Sequence, residues 1–422
     1  QVLELPHHVV LPGLIDAHMH TDIGICRGLA QDTKHWMMYG MGPFDDALSR
    51  KEEILGSKVC YMEALRAGTT TFSDSNVIPE QTASFVEKLG VRACLTKEIR
   101  DACYKIYAPG ELYEFDSNMG SQSLQEGLEF FDRWNGCAGG RIKVFLGPQG
   151  ADFCSPELLA QIQTLAKVRQ TKIHMHVQQG SRETAQIMQR YGKRPIAWLN
   201  EIGYLNERLL AVHLTDANDD EVRQMACSGA SMIACPGSIG IIDGIVPPSV
   251  VFQDAGGIVA LGSDQAPGNN CHNMFNEMKL VALFNKIKYQ DPEKLPAWRA
   301  LRMATIDGAK ALGLDELVGS LRAGKRADFI AVDLTAPSMM PVYTAPMRNI
   351  VPNLVYSARG SEVSLVCVDG KLLLAGGKVL TADEPTIIAE AQACVPDLAA
   401  RAAKAFWEVN GTNAALMRED KL

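Results

Sequence analysis

The chain has 422 residues, more than one ordinary domain needs, although α/β barrels run past about 250 residues as a single unit. Hydrophobic residues make up 47% and charged ones 21%, with 36 scattered glycines, which excludes a disordered or low-complexity polymer. The formal net charge of −8 excludes the basic face a nucleic-acid partner requires, so the expected partner is a small-molecule substrate. The 11 cysteines lie at irregular spacings without a Cys-x-x-Cys pair, which reads as reduced thiols in a cytoplasmic protein. No apolar run is long enough to span a bilayer and the start lacks the basic-then-apolar order of a signal peptide, so no membrane is expected.

From residue 9 to about 315, short apolar β-rich runs alternate with helical patterns. Eight strands are predicted, at 9–16, 69–73, 91–96, 142–146, 172–176, 209–213, 231–234 and 258–263. Between them, 51–67, 156–169, 182–191 and 219–227 carry apolar residues at helical spacing. The fold class is therefore α/β, a (β/α)₈ TIM-like barrel over 9–315. Residues 316–384 switch to short strands with Gly turns and form, with residues 1–8, a small flanking β domain. Only QVLELP precedes the barrel, so the N-terminal half of that domain is expected to be missing. Residues 385–422 read as a helical tail.

Chemistry concentrates at the predicted strand ends. Asp16-Ala17-His18-Met19-His20 closes the first, and a His-x-His on a strand aims both imidazoles to one side. Imidazoles with a carboxylate suit Zn²⁺ and its neighbours when one position stays open for catalysis. His174-Met175-His176 closes the fifth strand; His176 is the candidate ligand and His174, one layer deeper, a packed supporting group. His213 closes the sixth and either ligates the metal or holds the substrate's polarised atom. Asp264, ending the eighth in LGSDQAPGNN, can both bind the ion and shuttle a proton of its water.

The segments VVLPGLIDAHMH, ALRAGTTTFSD, HMH, AVH, LGSDQAPGNNCHNMFNEMKLVALF and VGSLRAGKRADFIAVDL together resemble the amidohydrolase superfamily, in its deaminase and s-triazine chlorohydrolase branch. The resemblance implies that His18, His20, His176 and Asp264 bind one divalent ion, Zn²⁺ first with Fe²⁺ or Co²⁺ as alternatives, and that His213 contacts substrate or completes the metal sphere. It also suggests a homo-oligomer, a dimer or higher.

Two positions depart from that branch. Relatives acting on nucleobases or triazines read His-x-x-Glu at the fifth strand, where this chain has His176-Val177-Gln178-Gln179, and many carry His after the Gly-Pro of the fourth, where it has Gln149. An amide cannot protonate a ring nitrogen, so Gln179 and Gln149 are read as substrate-positioning residues. A substrate already bearing a carbonyl oxygen needs no such proton. The preferred reading is therefore hydrolysis of an amide, urea, carbamate or thiocarbamate, a xenobiotic included. The alternative is deamination or dechlorination of an N-heteroaromatic ring; a non-catalytic barrel scaffold is remote, since every expected ligand is present.

Weaker signals remain. Trp36 and Tyr39, in the Met-rich loop after the first strand, are candidate substrate-wall residues, with a subunit contact or local cluster as the competing reading. His35 reads as surface, Cys271 and His272 as facing away from the ion, and Asn269 and Asn270 as loop and cap residues that help fix Asp264. Lys143 lies too far before its strand's end to bridge a second ion, which favours one metal over two.

Overall fold

The computed structural model describes residues 2–34, 36–103, 110–409 and 411–422. A parallel sheet curls through β2 (Leu14–His20), β3 (Thr69–Asn76), β4 (Arg92–Ile99), β5 (Ile142–Pro148), β6 (Ile173–Val177), β7 (Leu209–His213), β8 (Ser231–Ala234) and β9 (Val259–Leu261), each paired with the next. The ring closes through β10 (Asp264–Gln265), where Asp264 pairs with Met19 and Gln265 with His20. A separate antiparallel sheet holds β1 (His8–Pro12), β11 (Phe329–Asp333), β12 (Val363–Val368), β13 (Lys371–Ala375) and β14 (Lys378–Val379).

Two expected strands are each broken by a glycine. The run 9–16 splits at Gly13: β1 leaves the barrel to pair with β11, from His8 opposite Asp333 to Pro12 opposite Phe329, so residues 9–12 belong to the small sheet. A Cβ on Gly13 would stand 2.0 Å from Thr70 Oγ1, so only glycine lets the chain cross β3 there. The run 258–263 ends at Leu261, and a Cβ on Gly262 would fall 2.8 Å from the Cβ of His18. The last barrel strand thus turns closely past the metal-type histidines before β10 resumes.

The four expected helices form at Arg50–Arg66, Pro156–Arg169, Ser181–Tyr191 and Asp219–Cys227. Ser49 with Glu52 and Asn218 with Glu221 build capping boxes at the first and last, satisfying N–H groups that a helix start leaves bare. Against the barrel's outside these helices bury Leu65, Leu159, Ile187 and Met225, each contributing roughly 1.5–3 kcal/mol. Arg92 on β4 forks onto Asp328, Nε to Oδ2 at 2.8 Å and Nη2 to Oδ1 at 3.0 Å, tying the barrel to the small sheet. The tail folds as helices Glu384–Ala393, Val395–Val409 and Thr412–Arg418. All the cysteines are free, and among the described residues no helix is long and apolar enough to cross a membrane.

Candidate metal centre

Because side chains alternate along β2 and β6, His18 and His20 face the same side, and so do His174 and His176. His213 and Asp264 reach the same point by a different device: both take left-handed backbone conformations, at φ 80° and 63°. Non-glycine residues hold such angles only when surrounding structure imposes them.

The hydrogen bonds fix which nitrogen each ring turns inward. His20 Nδ1 meets the Ser75 carbonyl at 2.6 Å and His176 Nδ1 the Gln149 carbonyl at 2.8 Å, so each donates there and keeps a bare Nε2. Those two Nε2 atoms stand 3.2 Å apart. His18 Nδ1 lies 2.8 Å from His174 Nε2, leaving His18 Nε2 buried without a hydrogen-bond partner, 3.5 Å from Asp264 Oδ1. His20 Nε2 is 3.8 Å from the same oxygen. His213 stacks on His176 with ring centroids 5.4 Å apart, and neither of its buried nitrogens has a partner. Inward-facing lone pairs around a carboxylate repel one another unless a cation lies among them, so the donor set fits a divalent ion. Two triads, His18–His176–His213 and His18–His20–Asp264, each bring their ligand atoms within 4.8 Å.

The electrostatics agree. Burial pushes His18 and His176 well below the ordinary imidazole value and His213 down to about 4, keeping them neutral as ligands must be. Burial alone would raise Asp264, but the close imidazoles of His18, His213 and His20 favour its ionised form and hold it below the ordinary carboxylate range. Ser238 Oγ donates to its other oxygen at 2.6 Å.

The remaining candidates scatter. His174 is the supporting group behind His18, and burial lowers it to about 3. Gln149 is buried with its Oε1 unpartnered, while Gln179 is half-buried. Trp36 packs in a cluster with Met41, Phe44 and Leu398, Phe406 of the tail lies against the same cluster, and Tyr39 lies beside Gly411 and Thr412. Met37 in the same loop meets Arg182, its Sδ 3.0 Å from Nη1. His272 faces Ser263 Oγ at 2.7 Å and Asn269 Nδ2 holds the Ser263 carbonyl at 2.8 Å, both behind Asp264. His35 lies outside the described residues.

Sequence reasoning missed a buried acidic pair beside the site. Glu183, 1% exposed, accepts the Gln179 N–H at 3.0 Å, and Asp152, also 1% exposed, lies 3.2 Å from Arg182 Nε. The available signal was Glu183 at the third position of its helix, poised to reach back to the preceding turn.

Barrel and donor set define a metal-dependent hydrolase. The amidohydrolase family model matches residues 9–373, and the chain belongs to that family. It is 34% identical over 392 residues, 92% of this chain and 87% of the relative, to a 5-methylthioadenosine/S-adenosylhomocysteine deaminase of Moorella thermoacetica. It is 33% identical over 402 residues, 95% and 89%, to a 5'-deoxyadenosine deaminase of Methanosarcina mazei. Among solved structures, an adenosine deaminase from Xanthomonas campestris with bound zinc superposes with a TM-score of 0.84 at 27% identity, covering 93% of this chain and 86% of that one. An atrazine chlorohydrolase from Arthrobacter aurescens, complexed with zinc, shares the fold with a TM-score of 0.81 at 21% identity, covering 92% and 89%. These relatives reverse the order of the two sequence readings, placing ring chemistry ahead of urea or carbamate cleavage.

Proposed function

We propose that the chain deaminates an N-heteroaromatic ring, with purine nucleosides of the 5'-deoxyadenosine or 5-methylthioadenosine kind as its leading substrates. The observation that carries the chemistry is the convergence of His18, His20, His176 and Asp264 with unpartnered or inward-facing atoms on one point. The deaminase relatives, similar over more than nine tenths of the chain, support the substrate class. His18, His20, His176 and Asp264 would hold one ion, with His213 beside it. Zn²⁺ is proposed first, with Fe²⁺ or Co²⁺ as alternatives. Such an ion supplies Lewis acidity, bringing a water molecule's pKa towards neutrality.

Asp264, ionised and steadied by Ser238, accepts the attacking water's proton and returns it to the departing nitrogen. His213, with both nitrogens available, hydrogen-bonds the substrate atom where charge develops. The Gln149 carbonyl fixes His176, while the unpartnered Gln149 Oε1 and the Gln179 amide orient the ring. Cytoplasmic location and homo-oligomeric assembly belong to the same proposal.

Gln179 favours a second reading, hydrolysis of a urea, carbamate or thiocarbamate, because an amide offers no acid for a ring nitrogen. Turnover of 5'-deoxyadenosine, 5-methylthioadenosine, s-triazines, phenylureas and thiocarbamates, read as ammonia or chloride from the ring compounds and as the released amine from the others, separates the two. Ammonia from the nucleosides supports deamination. Turnover confined to ureas or carbamates would overturn it.

A further inference from the structure

Asp264 is held in its left-handed conformation from both sides, and both supports lead to one buried side chain. On one side Ser238 Oγ donates to Asp264 Oδ2 at 2.6 Å, and the adjoining Gly237 N–H donates to Glu277 Oε2 at 3.0 Å. On the other, Asn269 Nδ2 donates to the carbonyl of Ser263, the residue before Asp264, at 2.8 Å and to Glu277 Oε1 at 2.9 Å. Asn276 Nδ2 adds a longer contact to Oε1 at 3.3 Å. Glu277 is wholly buried, on the helix Met274–Tyr289. The fit is close: a Cβ on Gly237 would fall 2.3 Å from Asn269 Oδ1 and 2.7 Å from Glu277 Oε1.

We propose that Glu277 is the positioning residue for Asp264, clamping Gly237 and Asn269 so that the Ser238 hydroxyl and the Ser263 carbonyl fix the carboxylate from opposite sides. A buried carboxylate is costly unless its oxygens are satisfied, and these accept from two separate segments. Among the described residues Glu277 makes no hydrogen bond to Asp264 or the histidines, so it acts through Ser238 and Asn269. An amide of the same size cannot replace it. Glutamine has one accepting oxygen, so either Gly237 N–H or Asn269 Nδ2 would face another donor. The inference rests on the metal-centre reading and adds to it a residue outside the donor set.

The test uses the full chain, freed of metal and reloaded with Co²⁺, read by its visible absorption and by the rate at which a chelator strips the ion. Glu277→Gln is expected to shift the absorption band and speed Co²⁺ loss by roughly tenfold or more, as loss of a ligand's supporting partner does. Ser238→Ala should act in the same direction, and the double variant should do little more than the stronger single one. If Glu277→Gln does not fold, Asn269→Ala cuts one arm of the clamp and is read by the same two measurements. Wild-type-like absorption and stripping in the folded variants, or fully additive effects in the double variant, would overturn the clamp alone. A wild-type chain that takes up no Co²⁺ would overturn the metal-centre reading and the clamp with it.

Discussion

Replacing Glu183 by Gln should make the fold less sensitive to alkaline pH. Glu183 is 1% exposed, and burial, followed by the charge of Asp152, raises its carboxyl from 4.5 to about 8. An acid raised on folding contributes most stability below its unfolded value, and loses that contribution as pH rises through its folded value. For Glu183 the loss runs from about 4.5 to about 8, which at about 1.4 kcal/mol per pH unit sets a ceiling of about 5 kcal/mol. Water penetration and the shared field of Asp152 bring the expected effect to about 1–3 kcal/mol. Glutamine keeps the volume and an oxygen for the Gln179 N–H, so the substitution removes mainly the ionisation. Wild type and Glu183→Gln would be unfolded in urea at about pH 5 and about pH 8 with metal chelated, and the difference between them taken at each pH. That difference should move in the variant's favour at the higher pH. A pH-independent difference, or a variant that loses more than wild type, would refute the raised carboxyl.

Asp264→Asn is expected to lower kcat by at least about a hundredfold in steady-state assays, because the amide cannot accept the proton. Gln179→Glu should raise ammonia release from a nucleoside or triazine and leave any urea hydrolysis near its starting rate, measured on one preparation of each protein. Gly13→Ala should cost about 1–3 kcal/mol in denaturant unfolding, since its methyl would meet Thr70 Oγ1 at 2.0 Å where β1 leaves the barrel.

The fold was legible where periodicity carries it. Barrel strands, outer helices and the paired histidines of β2 and β6 follow from alternation along a strand and 3.6-residue spacing along a helix. The breaks at Gly13 and Gly262 were not, because each lies in an apolar run that reads as one strand, and only Thr70 and His18 on the neighbouring strands show why the chain must turn. In the centre, ligand types and spacing could be read, whereas the left-handed turns at His213 and Asp264 depend on tertiary support. Asp152 with Glu183, and Glu277 with Gly237, escaped notice because their partners are 31 and 40 residues apart. Gln179 pointed away from ring chemistry by its side chain alone; the likeness that points back is spread over the whole chain.

The central claim is one metal ion held by these histidines and Asp264, and elemental analysis of the purified chain tests it most directly. The account predicts about one equivalent of Zn²⁺, Fe²⁺ or Co²⁺ per chain, falling below about a tenth in His20→Ala. Less than a tenth in the wild type after reloading, or an unchanged equivalent in His20→Ala, would contradict it.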